Sequence, residues 1–254
     1  MKNFLLLNIC ILCSWLYAAP SHAAVWWIDD FLTPEGLNQN TVVSIGTGPT
    51  VSTNVSGIAN TSTIGGNRYY EVDRIVPGGN SGESVRAETE NIFGFSTFRY
   101  FSSDDARGEG MLSYGHDTPL NADFDGNGVI FGFRLSGFSA DASALSGDTA
   151  TMTLTIYSDT GTGSVTKMFS DLIGDDGAQW LNTEFFGDNV NFFNVSRIDL
   201  SWGNFSANGA DFSFDSFDTL NWLPEPNTTS MLMVAAALIF LLRRSRNSTW
   251  ISAR

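Results

Sequence analysis

The chain has 254 residues, 13 Lys and Arg against 27 Asp and Glu, a formal net charge of −14 and a sequence pI of about 4.3. An acid excess of this size excludes nucleic acid as a partner, because phosphate binding needs a positive field. The length allows a single domain of about two hundred residues with a sizeable buried core.

Residues 1–23 read as an export signal, with Lys2 as the positive region, 4–19 as the apolar region and Ser21, His22 and Ala23 as the cleavage site. Cys10 and Cys13 both fall inside it, so cleavage after Ala23 leaves a chain without cysteine. That removes disulfides, thiolate metal sites and cysteine nucleophiles together. Between the signal and the basic tail stand eight basic and twenty-seven acidic residues, a formal −19. Such a surface favours solubility and invites divalent cations.

Residues 24–222 are expected to form one all-β domain, a β-sandwich. It opens on Trp26, Trp27, Ile28, Asp29, Asp30 and Phe31. Alternation of apolar and polar residues predicts strands at 84–90, 92–101, 129–135, 149–157 and 192–202. Turn chemistry separates them at Gly65-Gly66-Asn67, Pro77-Gly78-Gly79-Asn80, Asp125-Gly126-Asn127-Gly128, Ser158-Asp159-Thr160-Gly161 and Asn208-Gly209. No segment before 228 sustains an apolar helical period. Many short strands and no internal repeat favour a sandwich or jelly roll over an α/β fold, a propeller or a β-helix.

Within this domain, residues 121–130 place Asp123, Asp125, Asn127, Gly128 and Ile130 on the first half of an EF-hand-type loop. Position twelve of that frame is Arg134 instead of a bidentate acid, and a glycine-rich turn needs the same residue types. Calcium and a plain turn both remain open. His116, in Tyr-Gly-His-Asp, is the one histidine after the signal, so a serine triad or histidine metal cluster must depend on it. The Gly78–Ser84 stretch lacks the spacing of a nucleophile elbow. Paired carboxylates are the remaining catalytic route, and nothing in the sequence selects a pair. Phenylalanines read as core, while Trp180, Trp202, Tyr69, Tyr70, Tyr100 and Tyr114 form the pool for stacking on sugar rings. The domain closes on Phe212, Phe214 and Phe217 set among Asp211, Asp215 and Asp218.

An Asp-Asp-Phe first strand and an Ala-Asp-Phe-x-Phe-Asp last strand resemble those of jelly-roll carbohydrate-binding modules and galactose-binding-like folds. The resemblance implies that first and last strands lie side by side, and that nearby acids hold a structural calcium. Asp30 and Asp215 are the positions it points to, with turn-capping or surface acids as the alternative.

Beyond the domain, Pro224, Glu225 and Pro226 mark extended, accessible chain. The uncharged run from Ser230 to Leu242 is thirteen residues, a helix of roughly 20 Å that spans a bilayer only marginally. Arg243, Arg244 and Arg246 follow, the bias of a cytoplasmic flank. Triplet, apolar run and arginines in this order resemble the PEP-CTERM sorting domain, carried here on Pro224, Glu225, Pro226, Arg243 and Arg244. That resemblance implies a sorting segment at 223–246 with a transmembrane helix at 228–242, a basic tail at 243–254, membrane attachment through the helix and processing by an exosortase. It also implies export across the inner membrane of a Gram-negative bacterium, transient anchoring, and delivery to the cell surface or matrix beside exopolysaccharide. Two functions follow: a non-catalytic envelope or matrix protein that associates with polysaccharide, or an exported carbohydrate-active enzyme using two carboxylates.

Overall fold

The computed structural model describes residues 27–31, 41–45, 50–56, 63–76, 84–92, 95–124, 130–174, 178–181 and 189–221. The export signal, loop positions Asp125 and Asn127, and the whole sorting segment with Pro224, Glu225, Pro226, Arg243 and Arg244 lie outside the described residues.

The strands are β1 (Trp27–Asp29), β2 (Thr41–Ile45), β3 (Val51–Ser56), β4 (Asn67–Val76), β5 (Ser84–Ile92), β6 (Phe95–Ser102), β7 (Arg107–Tyr114) and β8 (Ile130–Ser136). They continue with β9 (Ser139–Ala140), β10 (Thr151–Ser158), β11 (Thr162–Met168), β12 (Ala178–Leu181), β13 (Val195–Gly203), β14 (Asp211–Phe214) and β15 (Ser216–Asn221). One helical turn, α1 (Phe169–Leu172), follows β11. All strand pairings are antiparallel.

β10 shows why these residues form strands. Thr151, Thr153 and Thr155 alternate with buried Met152, Leu154 and Ile156, and branched residues suit a pleated, half-buried surface. The Ser158-to-Gly161 turn then folds β11 back, with the Ser158 amide donating to the Gly161 carbonyl at 2.8 Å.

One layer is a six-stranded sheet in the order β11-β10-β13-β7-β4-β3. Facing it are a four-stranded sheet, β1-β15-β8-β12, and a five-stranded sheet, β2-β5-β6-β14-β9. The chain crosses between these two shorter sheets at Asp215, from β14 to β15, and at Gly137, from β8 to β9. Gly137 has φ 68°, and a Cβ there would fall 2.2 Å from Asp215 Oδ2, so a side chain at this crossing would be strained and would push Asp215 aside.

The sandwich core is aromatic. Phe98 of β6 meets Trp202 of β13 at 5.3 Å, Phe214 at 4.8 Å and Phe31 at 5.9 Å between ring centroids. Tyr114 of the six-stranded sheet meets Phe217 of β15 at 6.1 Å, tying the second short sheet to the same core. β1 pairs with β15, Trp27 opposite Asp218 and Asp29 opposite Phe217, so the first and last described strands are neighbours.

The pool of sugar-stacking aromatics is corrected here. Trp180, Tyr70, Tyr100, Tyr114 and Trp202 are all buried, between 0 and 3% exposed, and serve as core instead of a sugar-stacking surface; only Tyr69 of that pool is partly exposed. Of the acidic pair opening the domain, Asp29 is the fully buried one. It forms an ion pair with the equally buried Arg68, and it accepts from Tyr114 Oη at 2.8 Å, Thr63 Oγ1 at 3.1 Å and the Phe31 amide at 2.8 Å. Burial pulls the Arg68 guanidinium down, but Asp29 outweighs it and holds the group firmly protonated. Burial, then the Asp29 charge, pushes the Tyr114 phenol well up.

Candidate functional site

Of the residues singled out for calcium, Asp125 and Asn127 lie outside the described residues, and Asp30, Asp123 and Asp215 are described. Asp123 is exposed just before residues 125–129, which lie outside the described set, and Asp30 is half-buried. Asp215 is exposed at the sheet crossing, where it accepts from Thr97 Oγ1 at 3.2 Å. Among the described residues no three His, Cys, Asp or Glu side chains form a metal-holding group. His116 stacks on Tyr69 at 3.8 Å between ring centroids, and its Nδ1 lies 2.8 Å from Asp117 Oδ1. The His116 contact, first, and the Asn54 amide hold the Asp117 carboxyl below the usual carboxylate range. Among the described residues, no serine hydroxyl is bonded to His116.

The outer face of the six-stranded sheet carries the more substantial feature. Its register puts Glu71, Met111, Ser201 and Thr153 in one row across β4, β7, β13 and β10. The neighbouring row sets Asp73 directly opposite Glu109. A cleft of about 370 Å³ lies over these rows, its acidic walls being Glu71, Asp73 and Glu109 and its hydroxyls Thr151, Thr153 and Ser201. Gly110 faces the other way, into the core: a Cβ there would lie 2.6 Å from the Glu71 carbonyl oxygen and 2.6 Å from Trp202 Cζ2, so its bare Cα leaves space for the Trp202 ring.

A second cleft of about 650 Å³ shares Thr151 and Asn204 with the first, so the two form one groove. Its wall is more apolar, with Ile75, Met168 and Phe205 beside Arg107 and Asp148. Ile75 is 49% exposed, a large apolar side chain left in solvent at the groove's edge. Asn204, at the junction, is left-handed with φ 60°, and Asp148 has φ 49°. Asn and Asp tolerate this region better than other side chains, and residues held there cluster at ligand clamps. Asn204 is pinned by its own Nδ2, which donates to Thr151 Oγ1 at 2.8 Å, and by Thr149 Oγ1, which donates to its carbonyl at 2.7 Å. Arg107 is likewise fixed, donating to the Ser206 carbonyl at 3.1 Å.

Chemically the groove offers carboxylates, hydroxyls and an amide along one stretch and apolar side chains along the next. That combination suits a chain of sugar rings, whose C–H faces need apolar contact and whose hydroxyls need both donors and acceptors. Sequence reasoning missed it because no motif encodes it. The residues lie far apart in the chain, and only the strand register brings them together.

No protein-family model matches the chain, and no curated protein matches it either. Among solved structures it is similar to the family 11 carbohydrate-binding module of the cellulosomal cellulase Lic26A-Cel5E of Clostridium thermocellum, at 12% identity and a TM-score of 0.31, covering 82% of this chain and 100% of that one. The family 11 module from the same organism in complex with a β-1,3-1,4-mixed-linked tetrasaccharide gives 12% identity and a TM-score of 0.26, covering 80% of this chain and 100% of that one. Likenesses this distant show nothing of ligand or activity.

Proposed function

We propose that the domain is a non-catalytic polysaccharide-binding sandwich that holds its ligand in the groove on the outer face of the six-stranded sheet. The observation supporting this is the groove itself, with a polar floor at Ser201, Thr153 and Asn204, an apolar rim at Ile75 and two left-handed residues fixed at its walls. Binding of the purified chain to a glycan panel tests it. Ser201→Trp, which fills the first cleft without touching the core, is expected to abolish capture. Unchanged capture would remove the groove as the site. Release of reducing ends from a bound polysaccharide, lost in Asp73→Asn or Glu109→Gln, would replace binding with the paired-carboxylate enzyme.

The sequence of the two ends supports a place for this activity outside the cytoplasm. We infer that the chain is exported, held transiently in the membrane through 228–242, and processed by an exosortase for delivery to the cell surface or matrix. In a host with exosortase, changing Glu225 or deleting 243–246 should alter processing. Unchanged fractionation with tail retention would refute the sorting role.

A further inference from the structure

We propose that the β3 edge of the six-stranded sheet is a self-association surface, on which β3 of a second copy of this chain pairs antiparallel and extends the sheet. The two edges of that sheet are built differently. β11 turns Lys167 inward, opposite the buried Met152, and Lys167 is the one lysine after Lys2. An inward charge on an edge strand blocks pairing with another chain. β3 has no such guard. Its six residues, Val-Ser-Thr-Asn-Val-Ser, include no charge and no proline, and they pair with β4 in unbroken register from Val51 opposite Val72 to Ser56 opposite Asn67. Every second residue of β3 directs its N–H and C=O away from β4, and no described strand bonds to them.

The side chains of β3 select the occupant. Val51, Thr53 and Val55 form its inward row, opposite the buried Val72, Tyr70 and Arg68, while Ser52, Asn54 and Ser56 face outward. Val55 is buried, yet Val51 in the same row is 36% exposed, an apolar side chain on the core side of the sheet left in solvent at its rim. An antiparallel copy of β3 centred on Thr53 covers it. Val51 then lies opposite the second copy's Val55, Thr53 opposite Thr53, and Ser52 opposite Asn54. Branched side chains meet on one face and polar ones on the other. This pairing is two-fold, so it closes at a dimer. The chain carries a formal −14, and an uncharged strand lets two such bodies meet without setting like charges face to face. Opposed residues share a face, so both copies' outer clefts open on the same side, and where the groove holds a glycan the two engage one polymer together.

Sedimentation equilibrium of the purified full-length chain, over a wide concentration range, tests this. A reversible dimer is expected. It should tighten as salt is raised, since the Asp117 carboxylate bonded to Asn54 stands at the same edge. Thr53→Lys sets two ammonium groups against each other across the two-fold axis and should weaken association by about tenfold or more. Val51→Lys, at the rim of the row, should weaken it less. Mixing Thr53→Lys chains with Thr53→Glu chains should restore a dimer containing one of each, which shows both that the variants are folded and that position 53 meets itself. Ser164→Lys, at an exposed position of β11, should leave association unchanged.

A chain that stays monomeric at every concentration would overturn the proposal. So would a dimer that survives both Thr53→Lys and Val51→Lys, since another surface, the 228–242 segment included, would then hold it. Loss of association in Ser164→Lys, or mass that grows without limit as concentration rises, would mean head-to-tail pairing of β3 with β11 and would overturn the two-fold dimer. No restoration in the mixed sample would overturn the register centred on Thr53. Glycan capture by the groove is measured separately, so failure here leaves that reading standing, and its failure leaves the dimer.

Discussion

Removing Asp29 is the sharpest test of how this sandwich holds together. Asp29→Ala deletes the counter-ion of a fully buried guanidinium and the acceptor for Tyr114, Thr63 and the Phe31 amide in one step. Arg68 can recruit little in exchange: its Nη1 is already buried without a partner, and its guanidinium sits over the Phe31 ring at 5.2 Å. Breaking a buried pair from one side costs about 3–5 kcal/mol, since the remaining charge stays desolvated. For a domain of this size that corresponds to a melting temperature lower by about 6–20 °C. Urea titration followed by circular dichroism reads the loss as a shift in midpoint at constant slope. The double variant Asp29→Ala/Arg68→Met removes both charges and should recover much of the loss, giving a large coupling in a double-mutant cycle. A single variant within about 1 kcal/mol of the parent, or a double variant no better than the sum of the two singles, would refute the reasoning.

Three further outcomes are expected. Partial burial, together with nearby Asp141 and Asp104, raises the Asp211 carboxyl above its usual range; its stability contribution is full below the ordinary carboxylate pKa of about 3.9 and is lost as pH rises through the raised value. Asp211→Asn should therefore melt higher than the parent at neutral pH and match it near pH 3 or so, and equal melting at both would count against the assignment. Gly110→Ala forces a methyl against Trp202, whose ring is wedged against Phe98, Tyr100 and Phe212 at 5.3, 5.6 and 5.4 Å, and should cost about 1–3 kcal/mol by urea midpoint. For calcium at the 121–130 loop, the expected outcome is a melting temperature that rises with free calcium and no longer does so in Asp123→Asn; insensitivity to EDTA would retire the metal.

Much of the fold was legible because period-two patterning survives where the inward residues are ordinary hydrophobes. The predicted strands at 84–90, 149–157 and 192–202 correspond to β5, β10 and β13, and the Ser158-to-Gly161 turn falls where it was expected. β4 and β7 escaped for two different physical reasons. The inward set of β4 is Arg68, Tyr70, Val72 and Arg74, and two arginines at core positions disguise the alternation. β7 turns Gly108 and Gly110 inward, where the missing side chains make room for Val85 and Trp202. A buried arginine requires a buried acid, so β4 read as a strand would have pointed to a partner such as Asp29. The groove was not legible by any such route, since opposed carboxylates such as Asp73 and Glu109 become neighbours only through β4–β7 register.

The pairing of β1 with β15 carries a mechanical consequence. β15 is the last described strand, ending at Asn221, yet it is an interior strand, hydrogen-bonded to β1 on one side and β8 on the other. A pull on the chain beyond Asn221 along the strand axis loads both ladders in shear, so their hydrogen bonds must fail together instead of one at a time. Arg134 of β8 adds a brace through its ion pair with the buried Asp218 carboxylate. A domain held by its C-terminal end against a dragging polymer would thus transmit tension through a strand fastened on both edges, and the short first strand, by flanking it, turns what would be an edge into a clamp.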